Sequence, residues 1–176
     1  CCGKKMVNVI PSASQQLKFL KNIQLILQSG SFSSTYKFAL IISLSRLAIE
    51  IGEDSGAPLV LKYPDLAEKF IELYWKQTVP YVFDEDGQLI LNQNNGKQAA
   101  IVNQIIGLRQ QYTSLGLLRR DIPVWSKLVK NVAKTIKEMP VRYLQNINGR
   151  NFEFLYQQES SNQHLTLSPQ VMYNLR

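Results

Sequence analysis

The stretch STYKFALIISLSRLAIEI, residues 34–51, predicts the centre of the fold. Its apolar residues, from Phe38 to Ile51, occupy most sides of a helix rather than one stripe. A helix of this kind is normally buried, so we expect it to be central. Ser34 or Thr35 can cap its free N–H groups, and Gly52 ends it.

Helical periodicity continues on both sides of this stretch. Four further segments carry apolar residues at spacings of three and four: Ser14–Leu27, Pro64–Lys76, Lys97–Tyr112 and Val124–Glu138. Ser168-Pro169 begins another helix, with serine as the N-cap and proline in the first turn.

Short strands are predicted where the helical period is lost. After Pro140 we expect two strands, at residues 143–145 and 152–156, joined by a tight turn at Asn148-Gly149, and a third at 164–167. Residues 82–83 and 89–91 can form a smaller hairpin. The fold class is therefore mainly α, with about five helices and a small β-hairpin or three short strands near the C-terminus. The order helix, hairpin, helix also permits a winged-helix variant.

The domain organisation predicted is one helical region, residues 14–176, after a flexible N-terminus, residues 1–13. Met6 resembles a natural start, so we expect residues 1–5 to be vector-derived. The chain stops inside its last predicted helix, where Val171, Met172 and Leu175 are expected to be exposed. That ending indicates a fragment of a longer protein.

The positions of the cysteines and the hydropathy of the chain indicate its cellular compartment. Cys1 and Cys2 are adjacent at the N-terminus and cannot cross-link a core, which indicates a reducing, cytoplasmic location. No apolar stretch approaches the roughly 20 residues that span a bilayer, and there is no signal-peptide pattern. We therefore expect no membrane partner.

Charge is distributed unevenly along the chain. Residues 97–150 hold ten basic and two acidic residues, whereas residues 50–86 hold nine acids and three lysines. The net charge of +7 conceals this asymmetry. A folded basic stretch suits a polyanion, because each neutralised phosphate releases a counterion. A solvated lysine-rich face explains the stretch equally well at this point.

No catalytic or metal-binding motif is evident, and we expect no cofactor in this chain. His164 is the single histidine and both cysteines are N-terminal, which excludes a Cys/His zinc site. We expect His164 to be an ordinary residue at a strand edge. Residues 84–86 are three consecutive carboxylates, which are more typical of a solvated turn than of a divalent-ion site.

Four segments together resemble a known family. They are STYKFAL (34–40), LAEKFIELYW (66–75), QNNGKQAAIV (93–102) and MPVRYLQN (139–146). This order is similar to the N-terminal region of bacterial HNH endonuclease-type, restriction-like proteins. The resemblance implies a non-catalytic region that grips double-stranded DNA for a nuclease domain further along the chain. A divalent metal is expected only in that missing domain.

The predicted DNA contacts follow from the basic stretch. Four lysines of the fifth predicted helix fall on one face, two arginines lie in the loop before that helix, and two lie on or beside the hairpin. The full set of expected phosphate contacts is Lys37, Lys97, Arg119, Arg120, Lys127, Lys130, Lys134, Lys137, Arg142 and Arg150. Lys37 either extends to solvent or meets a phosphate at its helix N-terminus. Gln98, Asn103 and Gln104 can read base edges, or are simply exposed polar residues.

Two other classes of function stay open. The acidic third and basic fifth predicted helices can meet in a homodimer or another protein complex, because opposite charges steer association. An enzyme with an unrecognised carboxylate site is the third hypothesis. Salt-dependent duplex binding, salt-sensitive dimerisation and metal-dependent cleavage distinguish the three.

Overall fold

The computed structural model describes residues 10–28, 35–79, 81–84, 87–89, 99–147, 149–158 and 163–176, with 81–84 and 87–89 described by backbone alone. Within these residues the helices are α1 Ala13–Gln28, α2 Tyr36–Ile51, α3 Tyr63–Gln77, α4 Ala100–Arg109, α5 Leu115–Arg120, α6 Ile122–Glu138, α7 Pro140–Tyr143 and α8 Pro169–Leu175. The strands are β1 Leu59–Lys62, β2 Tyr81–Asp84, β3 Gly87–Leu89, β4 Asn146–Ile147, β5 Arg150–Asn151, β6 Gln157–Gln158 and β7 His164–Leu167. The predicted fold class, mainly α with short strands near the C-terminus, is confirmed.

The core is built around α2 and α3, as the opening stretch predicts. Leu40 and Leu44 of α2 are fully buried. Phe70 and Tyr74 of α3 are at most 1% exposed. Tyr36 packs edge-on against the rings of Phe70 and Tyr74, with ring centroids 6.3 and 5.8 Å away. The most extensive helix contact is that of α3 with α6, followed by that of α3 with α2. The acidic helix thus lies between the central helix and the lysine-rich helix.

The N-terminus of α2 differs in detail from its predicted cap. The side chain of Thr35 makes no capping hydrogen bond. Its hydroxyl is instead hydrogen-bonded to the hydroxyl of Tyr74, 2.8 Å away, which ties the start of α2 to α3. Burial raises the pKa of the Tyr74 phenol, so this hydrogen bond is between neutral groups at physiological pH. Ser34 lies outside the described residues.

The bounds predicted for the two strands after Pro140, residues 143–145 and 152–156, are wrong. Residues 140–143 form α7, and paired backbone is confined to β4 and β5 around Gly149, whose φ of 80° fits the predicted tight turn. Residues 152–156 form an irregular segment that is held by buried Gln145. Its Oε1 accepts backbone N–H groups from Phe154, Leu155 and Tyr156, and its Nε2 donates to the Tyr156 carbonyl. The side-chain amide of Gln145 therefore makes the hydrogen bonds that a neighbouring strand would otherwise make with this segment.

A three-stranded antiparallel sheet of order β1-β7-β6 closes the fold beside the helices. The third predicted strand, residues 164–167, is confirmed as β7, but it is the middle strand. The expectation that His164 lies at a strand edge is therefore wrong, because its strand has β1 on one side, where His164 pairs with Lys62, and β6 on the other. Leu61, Leu165 and Leu167 are fully buried on the inner face of the sheet. The smaller hairpin, β2 with β3, is also present.

The last helix is confirmed, but its predicted exposure is wrong. The Ser168 hydroxyl accepts the N–H of Val171, 3.3 Å away, as expected of an N-cap. Met172 is 1% exposed and Leu175 is 9% exposed, because α8 packs against α2. A Cβ added at Gly52 would lie 2.9 Å from the Met172 sulfur, so glycine allows this close approach. The exposed apolar side chains from which a fragment was inferred are therefore largely absent from this helix.

Candidate nucleic-acid interface

Helix α6 presents two chemically different faces. Asp121 caps its N-terminus by accepting the N–H of Val124, and Pro123 occupies the first turn. Leu128, Val132 and Ile136 are buried on the face that packs on α3. The opposite face carries the basic residues. The helix is thus fixed by its apolar side and capped at its start.

The lysine face of α6, which we define as Lys127, Lys130, Lys134 and Lys137, matches the predicted spacing. At 100° per residue these four positions fall within an arc of about 80°. The first three are exposed, and Lys137 is half-buried with its Nζ 5.9 Å from the centroid of the Tyr63 ring. Lys134 lies 3.9 Å from Glu138. Among the described residues, Lys127 and Lys130 have no acidic partner.

Arginines lie in the chain at both ends of this helix. Arg120 is exposed at the end of α5, and Arg142 is exposed on α7 with its guanidinium 5.6 Å from the Tyr143 ring centroid. The prediction that Arg119 and Arg120 lie in a loop is wrong. Residues 115–120 form a short helix because the Ser114 hydroxyl caps it by accepting the N–H of Leu117.

Arg119 differs from its neighbour because it is paired within the chain. Its Nη2 lies 2.5 Å from Glu72 and 3.8 Å from Glu68, both on α3. Its guanidinium also lies over the Trp125 ring, 5.1 Å from the centroid. A phosphate would have to compete with two carboxylates for this side chain. Arg119 is therefore a poor candidate for a DNA contact.

Glu72 is the centre of a larger paired cluster, which we call the acid–base seam. The Glu72 carboxylate also lies 3.9 Å from Arg46 and 3.9 Å from Lys69. Lys69 in turn lies 2.6 Å from Glu50 of α2. The seam consists of Arg46, Glu50, Glu68, Lys69, Glu72 and Arg119. It joins α2, α3 and α5 across their surface.

Lys37 takes neither of the two roles expected for it. Its side chain is buried, and its Nζ donates a hydrogen bond of 2.7 Å to the carbonyl oxygen of Leu27. That carbonyl is in the last turn of α1, where unpaired carbonyls attract a cation. Lys37 thus links the end of α1 to the start of α2. Lys97 lies outside the described residues.

The residues predicted to read base edges differ in exposure and hydrogen bonding. Helix α4 buries Ile101, Val102 and Ile105, and Tyr36 accepts the N–H of Ile101 at 2.9 Å. Asn103 is exposed, whereas Gln104 is half-buried and its amide donates to the Ala100 carbonyl of the same helix, 3.4 Å away. Gln98 lies outside the described residues. The described part of α4 therefore offers one free amide to a base edge.

Arg150 lies on the hairpin β4–β5 rather than on or directly beside α6 in the chain. It is exposed on β5, directly after Gly149, and it borders a surface groove with Leu25 of α1. The groove was not evident from the sequence, because its two walls are more than a hundred residues apart.

Neither a metal-binding cluster nor a membrane-spanning helix is present in the described part of the chain. There, no three His, Cys, Asp or Glu side chains form a group that can hold a metal ion. None of the helices in the same residues is long and apolar enough to cross a membrane.

Comparison with known proteins places the chain in a family but assigns no activity. Residues 15–175 match a family described as a domain of unknown function (DUF8808), and the chain belongs to this family. No curated protein and no solved structure matches the chain.

Proposed function

We propose that this protein binds double-stranded DNA through the lysine face of α6, extended by Arg120 and Arg142. One observation carries the proposal: the two charge-rich regions of the chain are used differently. Glu68 and Glu72 of α3 are paired within the acid–base seam, whereas Lys127 and Lys130 have no acidic partner in the described residues. Exposed, unpaired cations on a rigid helix favour a polyanion as partner.

The dimensions of the face suit a duplex backbone. With a rise of 1.5 Å per residue, Lys127 and Lys134 are separated by about 10 Å along α6, and Lys137 lies about 15 Å from Lys127. Duplex DNA carries one negative charge per roughly 1.7 Å of its axis, so several phosphates lie within that span. Lys127, Lys130 and Lys134, the exposed lysines of the face, can therefore each neutralise a phosphate without a large bend in either partner.

The residue types favour binding that does not depend on sequence. Lysine is a point charge suited to phosphate, whereas base readout typically uses Asn, Gln or bidentate Arg. Asn131 is the amide among the exposed residues of α6. We therefore expect phosphate contacts to supply most of the affinity and duplexes of unrelated sequence to bind alike.

The direct test reverses charge on the face and elsewhere. Lys127→Glu with Lys130→Glu is expected to weaken binding of a labelled duplex by about tenfold or more at low salt, measured by fluorescence anisotropy. Lys18→Glu with Lys76→Glu is the matched control, because both lysines are exposed on other helices. Equal losses in the two variants would show that net charge alone attracts DNA, and the proposal would fail.

The alternative of a dimerisation module is the weaker of the two proposals. It needs acidic residues of α3 to meet the basic helix of a second copy. In this structure α3 already packs on α6 of its own chain, and Glu68 and Glu72 face Arg119. We therefore rank it below DNA binding.

The wider setting of the proposal comes from the sequence. We also propose a reducing, cytoplasmic location, because the two cysteines are adjacent at the N-terminus. The hypothesis that this region serves an HNH nuclease domain, with a divalent metal bound there, rests on the sequence resemblance alone.

A further inference from the structure

A groove of about 560 Å³ lies between the C-terminal half of α1 and the hairpin β4–β5. Its volume is within the range of ligand-binding clefts, which is roughly 300–1,000 Å³. It is lined by Leu25, Ile147, Arg150, Asn151 and Phe152. Apolar side chains and one cation therefore border the same space.

Phe152 is held in place at the groove. Its N–H donates to the Gln145 carbonyl at 2.6 Å, which fixes the backbone on the hairpin side. Its ring packs against Phe154, with centroids 5.4 Å apart, and Phe154 packs in turn against Phe19 of α1 at 5.9 Å. The Phe152 residue is nevertheless 37% exposed. An aromatic ring that is supported behind and open in front can stack with a planar ligand.

Arg150 supplies the positive charge of the groove. It follows Gly149, whose positive φ makes the tight turn, and it is exposed. Among the described residues it has no acidic partner. The nearby Glu153 carboxylate accepts a hydrogen bond of 2.8 Å from the Asn151 amide. The guanidinium therefore remains available to an anion at the groove.

We propose that this groove binds one unpaired nucleotide, with the base against Phe152 and the phosphate on Arg150. The apolar side chains that line the groove suit the base, and the Arg150 cation suits the phosphate. Stacking on an aromatic ring is possible for any base. A base inside a duplex presents no free face, so the ligand is a single-stranded end or gap. This inference rests on the proposed function, because the lysine face would hold the adjoining duplex.

The experiment compares a blunt duplex with the same duplex carrying a short single-stranded overhang. The overhang is expected to tighten binding by about tenfold, a typical effect of one stacked base. Phe152→Leu should remove that gain and leave blunt-duplex affinity unchanged, whereas Arg150→Gln should remove the gain and weaken blunt-duplex binding by no more than the loss of a single phosphate contact. Leucine keeps an apolar side chain of moderate size, so its variant also controls for loss of packing.

The outcomes separate the two proposals. Equal affinity for both DNAs, together with loss on Lys127→Glu and Lys130→Glu, would overturn the groove and keep the lysine face. Overhang binding that is indifferent to the Arg150 and Phe152 variants would also overturn the groove. Absence of binding to either DNA would overturn the proposed function as well.

Discussion

The acid–base seam and the lysine face of α6 contain similar kinds of charged residue in opposite states. In the seam, Arg119 and Lys69 lie 2.5–2.6 Å from carboxylates of α3 and α2. On the lysine face, Lys127 and Lys130 are exposed and lack such partners among the described residues. Both regions adjoin α3, yet one is internally neutralised and the other is open.

This difference shows that the count of basic residues overstates the available charge. Arg109 makes the same point, because its guanidinium donates to the Trp75 carbonyl at 2.7 Å and stacks on the Trp75 ring. A cation held by carbonyls, rings or carboxylates stabilises the fold, whereas an exposed unpaired one attracts a partner. The distinction depends on contacts between distant segments, and it divides the basic stretch into paired and unpaired cations.

The largest expected effect tests whether the two faces of α6 have separate roles. Ile136→Ala removes a fully buried side chain and should lower the free energy of unfolding by about 2–5 kcal/mol. Lys134→Ala, two residues away, should change it by less than about 0.5 kcal/mol. Urea unfolding followed by circular dichroism measures both. A similar cost for the two variants would show that the lysine face also carries the fold.

A smaller effect tests charge on the lysine face against side-chain identity. Lys127→Gln with Lys130→Gln should weaken duplex binding by about tenfold at low salt and make the log–log salt slope about 2 less steep, since two counterion-releasing contacts are lost. The double arginine variant at the same positions should retain both affinity and slope. If the glutamine variant binds as tightly as the original chain, these lysines do not contact DNA.

The smallest effect tests the seam. Glu72→Gln should lower stability by about 1 kcal/mol or less, because the pairs of Glu72 are partly exposed and screened by solvent. Its DNA affinity should not fall, since the change removes a negative charge. A double-mutant cycle with Arg119→Gln should give a favourable coupling energy. Zero coupling would mean that the pair does not stabilise the fold, and the contrast between the regions would weaken.

The helices were predictable because their signal is local. The apolar residues of α2 and α3 repeat within each helix, and both helices lie within a residue of their predicted bounds. The lysine face was predictable for the same reason, since four residues of one helix define it. Two short elements, β1 and α7, were not predicted, and each has four residues. Neither segment shows a clear period, so tertiary contacts decide their conformation.

The rest of the site was not predictable because its contacts join distant residues. Arg119 and Glu72 are separated by 47 positions, and nothing near Arg119 in sequence indicates that pairing. Lys37 and Leu27 are closer, at 10 positions, but their bond depends on the angle between α1 and α2. Gln145 organises residues 152–156 through a buried amide, which no periodic pattern reveals.

The salt dependence of duplex binding tests the central claim most directly. Lys127, Lys130 and Lys134, with Arg120 and Arg142, provide about five phosphate contacts, so the plot of log affinity against log salt concentration should have a slope of about −4 to −5. Fluorescence anisotropy with one labelled duplex at several salt concentrations measures it. A slope near zero, or no binding at low salt, would contradict the claim that the lysine face holds DNA.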